Sequence, residues 1–181
     1  MKNITALDIS QKMIEIVQAK GEENKITNLQ SLAGDIFTAS LSVGSYDSIL
    51  LMNILHFIRE PEPFLKKISS LLKPAGLLLC AADCMGEHTH FSSKILLNIT
   101  EPLSALGIVP FMYSYTREEI KKLINETAFS CIDEEVLHPD PVNFFGVFRK
   151  EKQRSPEIQN NLQTQSLSRS RHQQAICIPY Q

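Results

Sequence analysis

Asp8 is the first residue whose type and position could serve chemistry. It follows a short β-rich run, Ile4 to Leu7, and a segment with helical spacing begins directly after it. In an open α/β sheet the ligand crevice lies at the carboxyl ends of the strands, where a carboxylate can accept hydrogen bonds from a ribose. The alternative is structural, because Asp8 and Ser10 are both residue types that cap a helix. This stretch alone leaves both interpretations open.

A second acid occupies a similar place further along the chain. Residues 29–33 have the character of a short strand, and they lead directly to Gly34 and Asp35. Two predicted strands therefore end in a carboxylate.

Histidines supply the candidate bases, since an imidazole is the side chain most readily poised near neutral pH. His56 follows the most apolar run of the chain and is either a catalytic base or a hydrogen-bonded wall residue. His88 and His90 lie in a polar loop after a strand that ends at Asp83. Together with Cys84 and Asp83 they fit no compact zinc pattern, so we expect a solvated or substrate-facing loop and no metal site.

The elements that position these residues follow from the apolar pattern. Residues 48–52 form a continuous apolar run, which is typical of a strand covered on both faces of a parallel sheet. A one-faced helix with prolines at its start follows, and a second apolar strand spans Leu77 to Ala82. This order predicts a parallel strand–helix–strand crossover.

The second half of the domain is predicted to end in an antiparallel strand pair. Thr116 and Glu119 match a capping box and begin a helix. Two β-rich runs, Cys131 to Leu137 and Asn143 to Lys150, come after it. The fold class is therefore α/β, with a mostly parallel, doubly wound, Rossmann-like sheet completed by this pair.

Composition limits the classes of function. The chain has 181 residues, 43% of them hydrophobic, with a formal net charge of −2 and a pI near 6.2. Such a charge does not indicate the excess of basic residues that nucleic-acid binding requires. Neither a membrane-spanning apolar run nor a signal peptide is evident in the sequence. The four cysteines include no CxxC pair and no dense spacing, and they are expected to be reduced and mostly buried. We expect a soluble, cytoplasmic protein.

The composition changes near residue 153. Residues 1–152 are predicted to be one α/β domain, whereas residues 153–181 are rich in Gln, Ser, Asn and Arg. Such a segment buries too little apolar surface to offset its ordering entropy, so we expect a disordered tail.

The order of these motifs resembles the class I S-adenosylmethionine-dependent methyltransferases, in particular the small-molecule group that contains ubiquinone and menaquinone C-methyltransferases. The resemblance covers residues 4–150 and is carried by ALDIS, AGDIF, YDSILLMNILHFI, KPAGLLL and TREEIKKLINETAF. In KPAG and ETAF, Ala75 and Ala128 stand where the family usually has glycine.

The resemblance implies S-adenosylmethionine as the cofactor and a small-molecule methyl acceptor as the substrate. By position, it implies that the acid of ALDIS binds the ribose of the cofactor and that the acid of AGDIF contacts the adenine. It also implies that the residues at the end of the YDSILLM strand line the methionine part of the cofactor. The cofactor residues implied in this way are Asp8, Ile9, Met13, Asp35, Ile36, Met52 and Asn53. His56 is the candidate catalytic residue, and the candidate substrate residues are His88, His90, Tyr113 and Tyr115.

The front of the chain departs from the family. The family's first strand and its glycine-rich loop would precede Ile4, where only three residues stand. We therefore expect an N-terminally truncated fold that lacks a central strand and leaves two unpaired edges. The short apolar run Ala175–Ile178 could donate the missing strand, but its length and Pro179 argue against this.

Three functions remain in competition at this point. The first is S-adenosylmethionine-dependent methyl transfer to an unidentified small molecule. The second is a catalytically inactive methyltransferase-like fragment or partner subunit. The third is an NAD-dependent dehydrogenase, because an acid after a second strand binds ribose there too, although the fingerprint loop is missing.

Overall fold

The computed structural model describes residues 3–87, 112–139 and 142–151, and the backbone of residues 174–178. The sequence of residues 91–106 predicts a helix that Pro102 divides into two pieces, and this segment lies outside the described residues. In chain order the elements are β1 (Asn3–Asp8), α1 (Gln11–Glu23), β2 (Leu29–Ala33), β3 (Tyr46–Met52), a 3-10 turn (Leu55–Phe57), α2 (Pro61–Leu71), β4 (Leu72–Asp83), a second 3-10 turn (Met85–Glu87), α3 (Arg117–Asn125), β5 (Phe129–Pro139), β6 (Val142–Lys150) and β7 (Gln174–Ile178).

Local sequence explains where the helices begin. Ser10 caps α1, Pro61 occupies the first turn of α2, and Thr116 forms the predicted reciprocal capping box with Glu119 at the start of α3. Among the described residues, no helix is long and apolar enough to cross a membrane.

The strands form one mixed sheet of seven in the order β2-β1-β7-β3-β4-β6-β5. The first five strands of this order run parallel, and β6 and β5 add the predicted antiparallel pair. The α/β, Rossmann-like fold class is therefore confirmed. The antiparallel pair is longer than predicted, because β5 begins at Phe129 and continues to Pro139.

The C-terminal strand lies in the middle of the sheet. β7 is parallel to both of its neighbours, and Ala175 has Ile4 of β1 and Ser48 of β3 as its register partners. It occupies the position, between the strand ending at Asp8 and the strand starting at Tyr46, that the sequence predicted to be vacant.

Two sequence predictions are corrected by this strand. Residues Gln174–Ile178 are not part of a disordered tail, and the edges of β1 and β3 are not left unpaired. A five-residue strand between two partners is held by backbone hydrogen bonds on both sides, so the polar composition of the preceding segment does not decide its state. The rest of the predicted tail, residues 153–173 and 179–181, lies outside the described residues.

One face of the sheet carries the main core. Alternate residues of the central strands are fully buried there against apolar residues of α2 and α3. This alternation comes from the pleat of each strand, which sends successive side chains to opposite faces. The buried set is Ile49, Leu51, Leu78, Cys80, Phe144 and Phe148 from the strands and Leu65, Ile68, Ile120 and Ile124 from the helices.

Two alanines adopt the left-handed backbone conformation. Ala75 has φ +61° and Ala128 has φ +75°, and both are exposed. They are the two positions at which the sequence has alanine where the resembled family usually has glycine. The neighbouring Gly76 is retained for a different reason, since a Cβ there would lie 2.9 Å from the carbonyl oxygen of Lys73.

Replacing either alanine with glycine should stabilise the protein. The left-handed conformation strains a residue that has a Cβ, and glycine removes the strain at the cost of greater freedom in the unfolded chain. We expect Ala75→Gly and Ala128→Gly each to raise the free energy of unfolding by about 0.5–1 kcal/mol, measured by urea denaturation.

Gly44→Ala is the matched reverse variant. Gly44 has φ +63°, and a Cβ there would meet no atom within 4 Å, so this variant should be destabilised through its backbone alone. Lower stability of both glycine variants would show that the backbone relieves this strain in another way.

Candidate cofactor site

A cavity of ≈ 210 Å³ opens at the carboxyl edge of the parallel strands. Its walls come from the loops after β1, β2 and β3 and from the first turns of α2. The lining residues are Leu7, Asp8, Ile9, Gly34, Asp35, Ile36, Phe37, Ile54, Phe57, Ile58 and Phe64. Both predicted strand-end acids therefore face one cavity, among mostly apolar neighbours.

Asp8 is held in a defined position at the end of β1. Its side chain is 4% exposed, and Oδ1 accepts a hydrogen bond of 2.8 Å from the Ser10 amide. The helix cap itself is Ser10, whose Oγ accepts from the Met13 amide at 3.4 Å. The two interpretations of this stretch thus separate, since Ser10 caps α1 while Asp8 shapes the turn and lines the cavity.

Asp35 is oriented by a similar local turn. Its Oδ1 accepts a hydrogen bond of 2.7 Å from the Phe37 amide, and the residue is exposed at the cavity mouth. The two apolar residues beside the acids are unusually open, with Ile9 67% and Phe37 53% exposed. Ile36 reaches the cavity too, but it is only 7% exposed and belongs mainly to the core.

Three of the predicted cofactor residues are not among those that line the cavity. Met13 lies in the first turn of α1, and Met52 and Asn53 lie at the carboxyl end of β3. Asn53 has φ +55°, and its amide donates to the carbonyl oxygen of Ala81 at 2.8 Å. Its Oδ1 is buried without a hydrogen-bond partner among the described residues.

His56 is a buried imidazole next to the cavity wall. It is 3% exposed, and its ring packs against Phe57 with the centroids 4.2 Å apart. Burial lowers the pKa of His56, and the nearby Asp83 carboxylate partly opposes that shift. The imidazole is therefore neutral at pH 7, as a proton acceptor must be.

Residues 112–116 bring the two candidate tyrosines to the same edge of the sheet. The Tyr113 amide donates to the His56 carbonyl oxygen at 2.7 Å, and the Tyr113 and Tyr115 rings lie 5.3 Å apart. An ion pair between Arg117 and Glu87, 2.9 Å long, connects the end of this segment to the turn after β4. His88 and His90 lie outside the described residues.

Cys80 and Cys84 are poorly suited to act as nucleophiles, because burial opposes formation of the thiolate. Cys80 and Cys84 are free and buried, as predicted, and burial raises the pKa of each thiol to about 12. Over the same residues, no group of three or more histidine, cysteine or acidic side chains is arranged to hold a metal ion.

Sequence reasoning missed the aromatic part of the wall. Phe37, Phe57 and Phe64 all line the cavity, but none was among the predicted site residues. A signal for two of them is present in the chain, because Phe37 directly follows the Gly-Asp-Ile motif and Phe57 directly follows His56.

The donor and acceptor chemistry of the cavity fits a nucleoside. Ionised carboxylates only accept hydrogen bonds, so Asp8 and Asp35 suit ligand hydroxyl and amino groups, and the open faces of Ile9 and Phe37 suit a flat apolar ring. Together with the parallel sheet, these features are typical of nucleotide-binding domains of the doubly wound α/β class.

Comparisons with known proteins narrow this class. Residues 1–80 match the family model described as a methyltransferase domain. The chain is 31% identical over 119 residues to a demethylmenaquinone methyltransferase of Lactococcus lactis, covering 66% of this chain and 45% of that protein. It is 25% identical over 154 residues to a ubiquinone biosynthesis O-methyltransferase of Vibrio campbellii, covering 77% of this chain and 60% of that protein.

Solved structures agree with respect to the fold. An S-adenosylmethionine-dependent methyltransferase from Methanosarcina mazei superimposes with a TM-score of 0.69 at 14% identity, over 82% of each chain. A methyltransferase of Haloferax volcanii, solved with its Trm112 activator, gives a TM-score of 0.64 at 15% identity, over 86% of this chain and 74% of that chain.

The predicted resemblance to class I S-adenosylmethionine-dependent methyltransferases of the quinone type is thus confirmed. The same comparisons support S-adenosylmethionine as the cofactor. The chain spans about half the length of the curated relatives that it matches.

Acidification should destabilise the protein through His56. Its pKa is lowered in the folded state. Below about pH 6.5 the His56 imidazole is therefore protonated to a greater extent in the unfolded chain than in the folded chain. This contribution to stability is fully present above pH 6.5 and is lost as the pH falls towards the folded-state pKa. We expect the urea midpoint to fall between pH 7.5 and 5.5, and His56→Gln to reduce that fall. An equal fall in the wild type and in His56→Gln would mean that other groups cause the acid sensitivity.

Proposed function

We propose that the protein transfers the methyl group of S-adenosylmethionine to a small-molecule acceptor. The observation that carries this proposal is the joint placement of Asp8 and Asp35 in one cavity at the carboxyl edge of the sheet. The two acids come from neighbouring strands, which is the arrangement needed to meet the two polar ends of an adenosine.

In this proposal the adenosine lies across the ends of β1 and β2. The Asp8 carboxylate accepts hydrogen bonds from the ribose hydroxyls, and Asp35 accepts one from the adenine amino group. The exposed side chains of Ile9 and Phe37 cover the adenine ring. Burial of their apolar surface adds affinity without the need to rearrange either acid.

The end of β3 is assigned to the amino-acid part of the cofactor. The buried Oδ1 of Asn53 is an acceptor suited to an ammonium group, and Met52 precedes it on the same strand end. Met13 stays in the proposal only as a residue near the adenine side, because it does not line the cavity.

The protein has little covalent work to do in such a reaction. When bound, S-adenosylmethionine supplies a methyl group that its sulfonium has already activated. The residues of the chain hold the acceptor in line with that methyl group, exclude water, and remove the acceptor's proton where it carries one. We assign the proton to His56, since burial keeps its imidazole neutral near pH 7.

The acceptor is proposed to be an aromatic ring of the quinone-precursor type. Support comes from the names of the two curated relatives, which act in menaquinone and ubiquinone formation. The paired rings of Tyr113 and Tyr115 provide an aromatic surface of the kind that such an acceptor would pack against, and the Tyr113 backbone is hydrogen-bonded to that of His56. His88 and His90 remain candidates for the same region.

Removing the Asp8 charge should weaken cofactor binding while keeping the fold. In Asp8→Asn the amide oxygen can still accept from Ser10, but the charge and one acceptor oxygen are lost. A hydrogen bond to a charged group contributes about 1.5–3 kcal/mol, so we expect the Kd for S-adenosylmethionine to rise about 10- to 100-fold. Isothermal titration calorimetry measures this change directly.

Glu15→Gln is the matched control, because Glu15 is an exposed acid on α1 that does not line the cavity. It should bind S-adenosylmethionine like the wild type. A wild-type chain that binds NADH in preference to S-adenosylmethionine would instead support a dehydrogenase, and one that binds neither would support an inactive methyltransferase-like fragment. Either result contradicts the proposed function.

A further inference from the structure

β7 joins what would otherwise be two separate sheets. Within the described residues, β1 pairs with β2 and β7, and β3 pairs with β4 and β7. Removal of β7 would leave a β2-β1 pair beside a four-stranded β3-β4-β6-β5 sheet. The continuous hydrogen-bonded sheet therefore depends on one short segment near the end of the chain.

The cofactor cavity spans the same junction. Asp8 and Asp35 belong to the β1–β2 side, whereas Phe57 and Phe64 follow β3. The strand between the two sides fixes their separation at two interstrand spacings, or about 9.6 Å. Loss or displacement of that strand would therefore alter the width of the cavity.

Chain geometry allows β7 to reach this position from its own chain. β6 is antiparallel to β4, so its last residue, Lys150, lies at the sheet edge where the parallel strand β7 begins with Gln174. Three interstrand spacings, about 14 Å, separate the two strands across the sheet. A connection of the length of residues 151–173 can span several times that distance.

The residues of β7 suit an interior parallel strand. The five residues Gln174–Ile178 carry no formal charge and include no proline. An interior strand must supply a donor and an acceptor at each residue to one neighbour or the other, and it must do so without placing a charge inside the protein. The segment meets both conditions.

We propose that the slot between β1 and β3 is a strand-binding site whose ligand is the extended segment Gln174–Ile178 of the same chain. Filling the slot locks the two half-sheets in register and gives the cofactor cavity its width. The interaction is a β-strand addition, in which main-chain hydrogen bonds on both sides of the added strand provide the affinity.

The test uses the full chain, folded before it is cut. A protease recognition site is introduced between residues 153 and 173, and the purified protein is cleaved there. We expect the C-terminal fragment to stay bound during size-exclusion chromatography, and the amides of Thr5 and Leu50, which face β7, to remain protected from hydrogen exchange as in the uncut protein.

Competition then shows whether the fragment is held as a strand. A labelled peptide of residues 172–181 in excess should replace the cleaved fragment. The matched control is the same peptide with Ile176→Pro, which loses a ladder donor and introduces a clashing ring. We expect it to bind about 100-fold more weakly.

Two outcomes would overturn the proposal. One is release of the cleaved fragment while Thr5 and Leu50 keep the protection of the uncut chain. The other is an uncut protein that elutes as a dimer, since the strand would then belong to a second copy. If the protein instead unfolds when it loses the fragment, the two peptides are added to it separately. Restored protection with the wild-type peptide and none with the Ile176→Pro peptide would support the proposal. Equal effects of the two peptides would contradict it. These amide-exchange measurements do not depend on the proposed function.

Discussion

Backbone pairing of β7 with β1 on one side and β3 on the other is the interaction on which the rest of the structure depends. Side chains also link the two half-sheets, since Leu7 and Ile36 belong to the same core cluster as Ile49 and Leu51. Apolar contacts of this kind resist separation but do not fix register, because they are not directional. Hydrogen bonds are directional, so the ladder through β7 determines which strand ends meet at the carboxyl edge.

That edge concentrates the chemistry for a simple reason. Parallel strands all end on the same side, so a residue directly after each strand reaches the same crevice even when many positions separate these residues in sequence. Asp8 and Asp35 follow adjacent strands, and each is steadied by a backbone amide two residues later. The arrangement is present before any ligand binds, so little ordering of these side chains is needed on binding.

Much of this could be predicted from the sequence, where local pattern and global fold agree. The continuous apolar run at β3 and the Thr116–Glu119 capping box each had one dominant physical explanation. The acid at the end of β1 had two, a helix cap and a ligand residue, and the structure separates them because Ser10 is the cap. The position of β7 could not be read in the same way, because five uncharged residues after a long polar segment give no periodic signal. The aromatic wall was also missed, since a phenylalanine after a strand is equally suited to a core and to a ligand site.

The place of a strand in the sheet matters more here than its place in the chain. A slot between two parallel strands constrains the direction and length of the inserted strand and the polarity of its residues. The inserted strand is bound through main-chain donors and acceptors, and every residue except proline supplies both. A segment from the far end of the sequence can therefore meet the requirement as well as one from the beginning, provided that its connection is long enough. The closure entropy of such a connection rises only slowly with length. β1, which ends at Asp8, thus has a paired strand on each side. The position of Asp8 at the crevice does not depend on where along the chain the β7 segment lies.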